Sequence, residues 1–554
     1  MTNHSSRERS FAGIEQLSLR SIFLGILGSS VITASSMYVA LRMSALPWPT
    51  IFVAVLSMAL LKTFGRTTLN EINVTQTAMS AGAMVAGGLA FTLPGLWITG
   101  RWKGAAMLRE HFWQVLAIAV AGVLIGTALT WLMRRRFVES EALPYPIGAA
   151  AAETIKVGDA GGKKSALLFG AMILTALFTY LRDYKQWIPA AISAKWLDAR
   201  NLFLGLWISP MAVGIGYMIG TLYTGVWFLG AVLSYLVIIP LAPVLKILPS
   251  VQAAVSFKNA AGIGLMVGTG IGILISYLNS QLRKISQVRK DRAAAQPAKA
   301  GRAERVWTLL VFVIAFVLSI LCGLTPWPSV LLLLGVWAAS AMAATITGQT
   351  GINPMEIFGI IVLLAIRLFV PVDATAAFFI AAVVAVTCGY SGDLLNDYKA
   401  GHILGTNPVA QLILHIAGGI VGAVVASLAM FAIIGQFGGV GPEHGLPAGQ
   451  AFAVSQMVKG IEFPWVFGVA ALLGAVLYLL QVPVMTLGIG MYLPFAISAV
   501  VFLGGLVRFV TDRLSWKTPA QKRTETGNII ASGFLGGEGI TGVAIAIYLM
   551  LTKG

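Results

Sequence analysis

Two stretches decide how this chain is read: FVESEALPYPIGAAAAETIKV, from Phe137 to Val157, and GDLLNDYKAGHILGTNPVAQ, from Gly392 to Gln411. Both sit among apolar segments long enough to cross a bilayer, yet both carry acidic residues, then a proline bend and small residues. The first holds Glu139, Glu141 and Glu153, with Pro144 and Pro146 flanking Tyr145. The second holds Asp393 and Asp397, followed by Lys399, His402 and Pro408. Ionisable groups on interrupted helices, at corresponding points of two halves of a membrane chain, are what a solute pathway requires.

Composition sets the class. Of 554 residues, 57% are hydrophobic and 11% charged, against about 25% charged in a soluble chain. Apolar segments of about 20 residues recur from end to end, which predicts an all-α polytopic membrane protein. A membrane barrel would instead show alternating segments of about 10 residues. The net charge of +17 fits Lys and Arg gathered in cytoplasmic loops and implies no nucleic-acid partner. Cys322 and Cys388 both lie in apolar segments and read as packing residues. Met1 to Arg20 is polar and lacks a cleavable-signal pattern, so Leu19 to Leu41 reads as a retained first span.

The apolar segments place spans near 20–41, 46–62, 73–98, 112–133, 165–181, 204–222, 226–248 and 257–278. Others follow near 305–323, 329–347, 354–370, 373–388, 411–434, 464–482, 484–509 and 528–550. That gives about 16 helices in two eight-span halves, with broken or re-entrant segments near 137–157 and 391–411. The expected organisation is an N-terminal repeat over 1–278, a basic cytoplasmic linker over 279–304 and a C-terminal repeat over 305–554. Cytoplasmic termini put Lys62, Arg66, Arg134 to Arg136, Lys163, Lys164 and the linker inside, as the positive-inside rule asks. The loop over 510–527 disagrees: Arg513, Lys517, Lys522 and Arg523 fall outside on this count.

The halves look related at an offset of about 280 residues, as a parallel internal repeat would be. Glu71-Ile72-Asn73-Val74 pairs with Gly351-Ile352-Asn353-Pro354, and Trp207 to Ala212 pairs with Met491 to Ala496. Ala260 to Gly264 pairs with Ala531 to Gly536 in the same order.

Coupling transport to an ion gradient needs groups that take up protons or cations at membrane depth. The clusters over 139–153 and 393–402 supply them: Glu139, Glu141, Glu153, Asp393, Asp397, Lys399 and His402. The polar runs over 67–77 and 353–356 offer amides and carboxylates at matched points, among them Glu71, Asn73, Gln76, Asn353 and Glu356. Such groups suit either a substrate's peptide groups or interhelical hydrogen bonds. Glu538, in Gly536-Gly537-Glu538-Gly539, sits inside an apolar final span, where an unpaired carboxylate is costly. Tyr145 and Tyr492 are cavity-lining candidates, whereas His415 reads as a core residue. No GxxxxGK[ST] loop, HExxH or CxxC motif is present, so neither an ATP-driven pump nor a resident metal or other cofactor is expected.

Asn70 to Thr77, Leu143 to Gly148, Asp393 to Lys399, Met491 to Phe495, and Ala531-Ser532-Gly533 with Gly536 to Gly539 together resemble the oligopeptide transporter superfamily over nearly the whole chain. They lie nearer its yellow stripe-like branch and bacterial members; the NPG and KIPPR signatures of the fungal and plant peptide branch are absent. The resemblance implies a duplicated eight-span unit and symport of protons with small peptides or metal–chelate complexes. The expected function is therefore proton-coupled import of small oligopeptides across a bacterial inner membrane. Import of siderophore-like metal chelates is the alternative, and a passive channel a third reading. The expected partners are the bilayer, protons and the substrate, with a homodimer left open. An enzyme would need a nucleophile–base or metal constellation, and the sequence offers none.

Overall fold

The computed structural model describes residues 16–44, 50–103, 107–158, 163–193, 195–198, 202–288, 302–321, 324–350, 353, 355–459, 463–513 and 520–553. Residues 1–15, the linker over 289–301, Cys322, Gly351, Ile352, Pro354 and Lys517 lie outside them. Nine helical segments among the described residues are long and apolar enough to cross a membrane, and three shorter apolar helices accompany them. The β-structure among the described residues is one antiparallel ribbon, Ala191–Ser193 against Gly205–Trp207, and one isolated bridge between Gly441 and Leu446. The protein is thus an all-α, multi-pass membrane protein. Large apolar side chains remain exposed along the helices, Leu334 at 62% and Leu472 at 69%. Faces of this kind are soluble in lipid, not in water.

The chain forms two compact units. One comprises Met1–Gly170, Ala303–Val454 and Gly539–Gly554; the other comprises Ala171–Arg302 and Ser455–Glu538. Each therefore takes segments from both halves of the sequence.

In the first unit the helices Leu69–Ala90 and Ala374–Leu404 are the buried centre, sealed from Glu71 to Ala90 in one and from Ala377 to Tyr398 in the other. Helices Leu19–Met43, Met107–Arg134 and Pro408–Phe437 pack around them. Small residues make this possible, because in a membrane close backbone approach replaces the hydrophobic effect as the source of packing. A Cβ on Gly88 would lie 2.7 Å from the backbone of Val386, so only glycine fits there. Local caps set the helix starts: Thr68 accepts from the Glu71 amide at 3.1 Å, and Asp373 from the Thr375 amide at 2.8 Å.

The interruption near 137–157 is sharp. After Met107–Arg134 the helix widens into a π turn over Arg135–Ser140, then opens before the helix Pro146–Gly158 begins. Ala142 and Tyr145 both take positive φ, 47° and 42°, which costs energy for residues with a side chain. Tyr145 is held there by two bonds, its amide to the Gly348 carbonyl at 2.8 Å and its hydroxyl to the Ala344 carbonyl at 2.9 Å. The second interruption is narrower than the stretch 391–411. The helix runs unbroken through Leu404, Gly405 ends it in the left-handed region, and Pro408 opens the next helix with Asn407 as its cap. No proline falls between Ser391 and Leu404 and the helix runs through Gly392 and Gly401, so the acidic residues there lie on one continuous helical face.

The second unit packs Val251–Val288 on Pro464–Leu479 and Thr221–Val232 on Val484–Tyr492, with Pro210–Ile219 against Phe495–Arg513. The first of these helices continues past Asn279, into the stretch read as linker, and the next helix starts at Arg302.

Candidate functional site

Asn73, Gln76 and Thr77 are spaced at three and four residues, so they share one face of the Leu69–Ala90 helix. Asp393, Asn396 and Asp397 do the same on Ala374–Leu404. The two faces meet inside the first unit. Gln76 donates its amide to Asp397 Oδ1 at 3.1 Å, and Gln411 donates to the Asp397 carbonyl at 2.9 Å and to Thr77 Oγ1 at 3.1 Å. One turn away, Asn353 donates to Asp393 Oδ2 at 2.7 Å and to the Cys388 carbonyl at 2.8 Å. Asn73 donates to Thr406 Oγ1 at 3.2 Å, and that hydroxyl donates to Asn70 Oδ1 at 3.0 Å. Asn396 Oδ1 accepts the amide of Gly148 at 3.1 Å, tying the start of the Pro146–Gly158 helix to this cluster.

What remains unpaired is informative. Asn73 Oδ1, Gln76 Oε1, Asn353 Oδ1, Asp393 Oδ1 and Asp397 Oδ2 are buried acceptor oxygens without a partner in hydrogen-bonding geometry among the described residues. The Ser80 hydroxyl bears on the Asp397 carboxyl at looser geometry. Glu356, 4% exposed, and Asp397 both act on Asp393 as like charges. Among the described residues no Lys, Arg or His forms an ion pair with Asp393, Asp397 or Glu356. A buried carboxylate without a counter-charge is too costly to keep, so each of these groups needs a proton or a cation. His415, fully buried between the rings of Tyr390 and Tyr398 at 4.9 and 6.0 Å, also has both ring nitrogens without a partner among the described residues.

The other sequence candidates lie elsewhere. Glu139 pairs with Arg134, Glu141 with Arg136 at 2.8 Å and Glu153 with Lys156 at 3.0 Å, all at partly or fully exposed positions. Lys399 is half-buried and His402 exposed, off the buried face of their helix. Glu71 is clamped by Arg20 at 2.6 and 2.7 Å, by Thr67 at 2.7 Å and by Ser18, which joins the starts of two helices.

In the second unit, Glu538 is fully buried and fully satisfied. Arg182 Nη2 donates to it at 2.9 Å, Ser209 Oγ lies 2.9 Å from Oε2, and the Met211 amide donates at 3.0 Å. Tyr492 is also buried there, and its carbonyl accepts from Lys258 Nζ at 2.9 Å while that ammonium sits 4.9 Å from the Tyr235 ring centre.

Sequence reasoning passed over Arg182, Lys258, Asn396 and Gln411. Lys258 is the one charged residue of the span read over 257–278, and that was a readable signal. Arg182 sits at the end of an apolar segment, where a basic residue looks like an ordinary interfacial anchor.

A multi-pass helical bundle with uncompensated carboxyls and amides in its interior has the build of a membrane transporter, not of an enzyme. Residues 16–549 match the family of OPT oligopeptide transporter proteins, and the chain belongs to that family. A Haemophilus influenzae protein named "Putative oligopeptide transporter" is 27% identical, over 93% of this chain and 92% of its own length.

Proposed function

We propose that this protein imports small oligopeptides across a bacterial inner membrane by symport with protons, with both termini on the cytoplasmic side. One observation carries the reading: Asp393, Asp397 and Glu356 are sealed in the first unit without a basic partner among the described residues. Each is cheap to keep only while it holds a proton, so proton binding and release is coupled to the packing around it. Asn73, Gln76 and Asn353 each spend their amide donors inside this cluster and leave a carbonyl oxygen unpaired. Those oxygens match the amide and ammonium donors of a peptide. Glu139, Glu141 and Glu71 serve, in this reading, as ion-paired fasteners within the first unit, and Glu538 as one within the second.

The test uses purified protein in liposomes holding a trapped pH dye, with di- to tetrapeptides added outside under a negative internal potential. Saturable acidification driven by peptide supports the proposal. Acidification with iron– or nickel–chelate complexes alone replaces the substrate class. Peptide uptake without proton movement, or without saturation, removes symport.

A further inference from the structure

The second unit buries a charge that the proposed symport does not use. Lys258 is 3% exposed, and among the described residues no Asp or Glu pairs with it. Its helix, Val251–Val288, carries no Asp or Glu, and neither do Ile239–Val244, Pro464–Leu479, Val484–Tyr492 and the π turn Leu233–Ile238 that pack on it. The titratable side chains those packed elements bring are Tyr235, Tyr478 and Tyr492.

Two interruptions of the backbone meet at this ammonium. The helix Val484–Tyr492 stops where Leu493 turns extended, and Pro494 has no amide hydrogen, so the last carbonyls lack helical donors. Side chains from other elements supply them: Ser234 Oγ donates to the Met491 carbonyl at 3.1 Å and Lys258 Nζ to the Tyr492 carbonyl at 2.9 Å. Ser234 and Tyr235 belong to the π turn, and the Tyr235 hydroxyl lies 3.3 Å from Nζ. The ring centres of Tyr235 and Tyr492 are 4.9 and 5.7 Å from the ammonium. One turn along, a Cβ on Gly488 would lie 2.6 Å from the Gly262 carbonyl, so the two helices meet backbone to backbone.

A helix end, a hydroxyl and ring faces are dipoles: they hold a cation in place but bring no whole negative charge to it. A buried cation so placed is costly to keep, and the neutral amine is provided for as well. The ammonium donates to the Tyr492 carbonyl and the Tyr235 hydroxyl; the free amine accepts from that hydroxyl and keeps a hydrogen for the carbonyl. Broken helices and π turns are also where membrane transporters place ion sites. We propose that Lys258, granted the symport proposed above, is a further proton-exchange group of the transport cycle. When it releases its proton the Nζ–H bond breaks, the electron pair stays on nitrogen and the proton passes to water. Loss of the charge weakens the hold on the Tyr492 carbonyl, so protonation biases the break between Val484–Tyr492 and Phe495–Arg513.

The test measures trapped-dye acidification, net uptake of labelled peptide and peptide counterflow in liposomes, for wild type, Lys258→Arg and Lys258→Gln. Counterflow exchanges peptide across the membrane and needs no net proton release. Arginine keeps the charge but does not give up its proton, and glutamine supplies a neutral donor. Both variants are expected to stay monodisperse, to lose acidification and net uptake by at least about tenfold, and to keep counterflow. Wild-type acidification in Lys258→Arg would show that a fixed cation suffices and overturn the proposal, as would wild-type acidification in Lys258→Gln. Loss of counterflow together with uptake in Lys258→Gln would also overturn it, leaving Lys258 a packing residue. Should Lys258→Arg not stay folded, Lys258→Gln decides alone. A wild type without peptide-driven acidification removes the symport and this role with it, whereas active variants beside an active wild type remove this role alone.

Discussion

Asn353 donates to Asp393 at 2.7 Å, yet the remaining oxygen of each, Asn353 Oδ1 and Asp393 Oδ1, has no partner among the described residues. The pair is half-satisfied at a buried position, a state that buried polar networks seldom tolerate unless something else completes them. Gln76 and Asp397 repeat the pattern one turn along, at 3.1 Å. Two side-chain amides from separate segments are thus organised around two carboxyls of one helix instead of around an ion pair.

The packing of the first unit makes a direct prediction. Gly88→Ala would set a methyl 2.7 Å from the Val386 backbone, forcing the two central helices apart. A loss of about 1–3 kcal/mol is expected, as for other overpacked cores. Gly170, whose Cβ would meet nothing within 4 Å, is the matched control. Gly170→Ala should leave stability equal or raise it by about 0.5–1 kcal/mol, since glycine is the poorer helix former. Melting temperatures of the two variants in detergent, compared with the parent, check both signs.

The Arg182–Glu538 pair predicts non-additivity. Arg182 also holds Asp183 at 2.7 Å and the Ile208 carbonyl at 2.6 Å, so Glu538→Ala leaves the guanidinium partnered. Arg182→Ala instead leaves a fully buried carboxylate without its counter-charge and is the costlier change, at about 3–5 kcal/mol. Replacing both by apolar residues of similar size, Arg182→Met with Glu538→Leu, should recover part of the Arg182→Ala loss, Asp183 being 19% exposed and able to find water. A double-mutant cycle on thermal unfolding measures it. Equal damage in the single and double variants would mean that the pair is not what either residue contributes.

The Arg20–Glu71 clamp should behave differently. Arg20 is 32% exposed and keeps carbonyl partners at Phe64 and Arg66. Glu71→Gln is therefore expected to cost only about 1 kcal/mol, in the range of partly exposed pairs, and to leave proton-coupled uptake intact. Uptake assays on reconstituted protein separate this structural role from a place in the substrate site.

Much of this was legible in the sequence, and the remainder was hidden for identifiable reasons. The membrane class and the polar runs around Asn73, Gln76 and Asn353 follow from composition and local pattern. So does the acidic face of Asp393 and Asp397, four residues apart on a helix. What could not be read was which acids are paired. Arg134–Glu139 and Arg136–Glu141 are spaced by five residues, not the three or four that mark neighbours on an α-helix. They meet because the backbone widens into a π turn, with the Glu141 amide bonded to the Arg136 carbonyl at 2.7 Å. Arg182 and Glu538 are separated by 356 positions, and no local pattern reports such a contact. Burial follows the same logic: His402 and Asp397 stand five residues apart on one helix, yet one faces outward and the other inward.

The proton-holding role of the buried carboxyls is tested most directly in liposomes with a trapped pH dye, comparing wild type with Asp393→Asn and Asp397→Asn. Asparagine keeps the shape and an acceptor oxygen for Asn353 or Gln76 but cannot carry the proton. Both variants are expected to remain monodisperse and to lose peptide-driven acidification by at least about tenfold, the scale on which removing an essential proton-transfer group acts. Wild-type acidification in both would contradict the assignment and leave the half-satisfied cluster a purely structural feature.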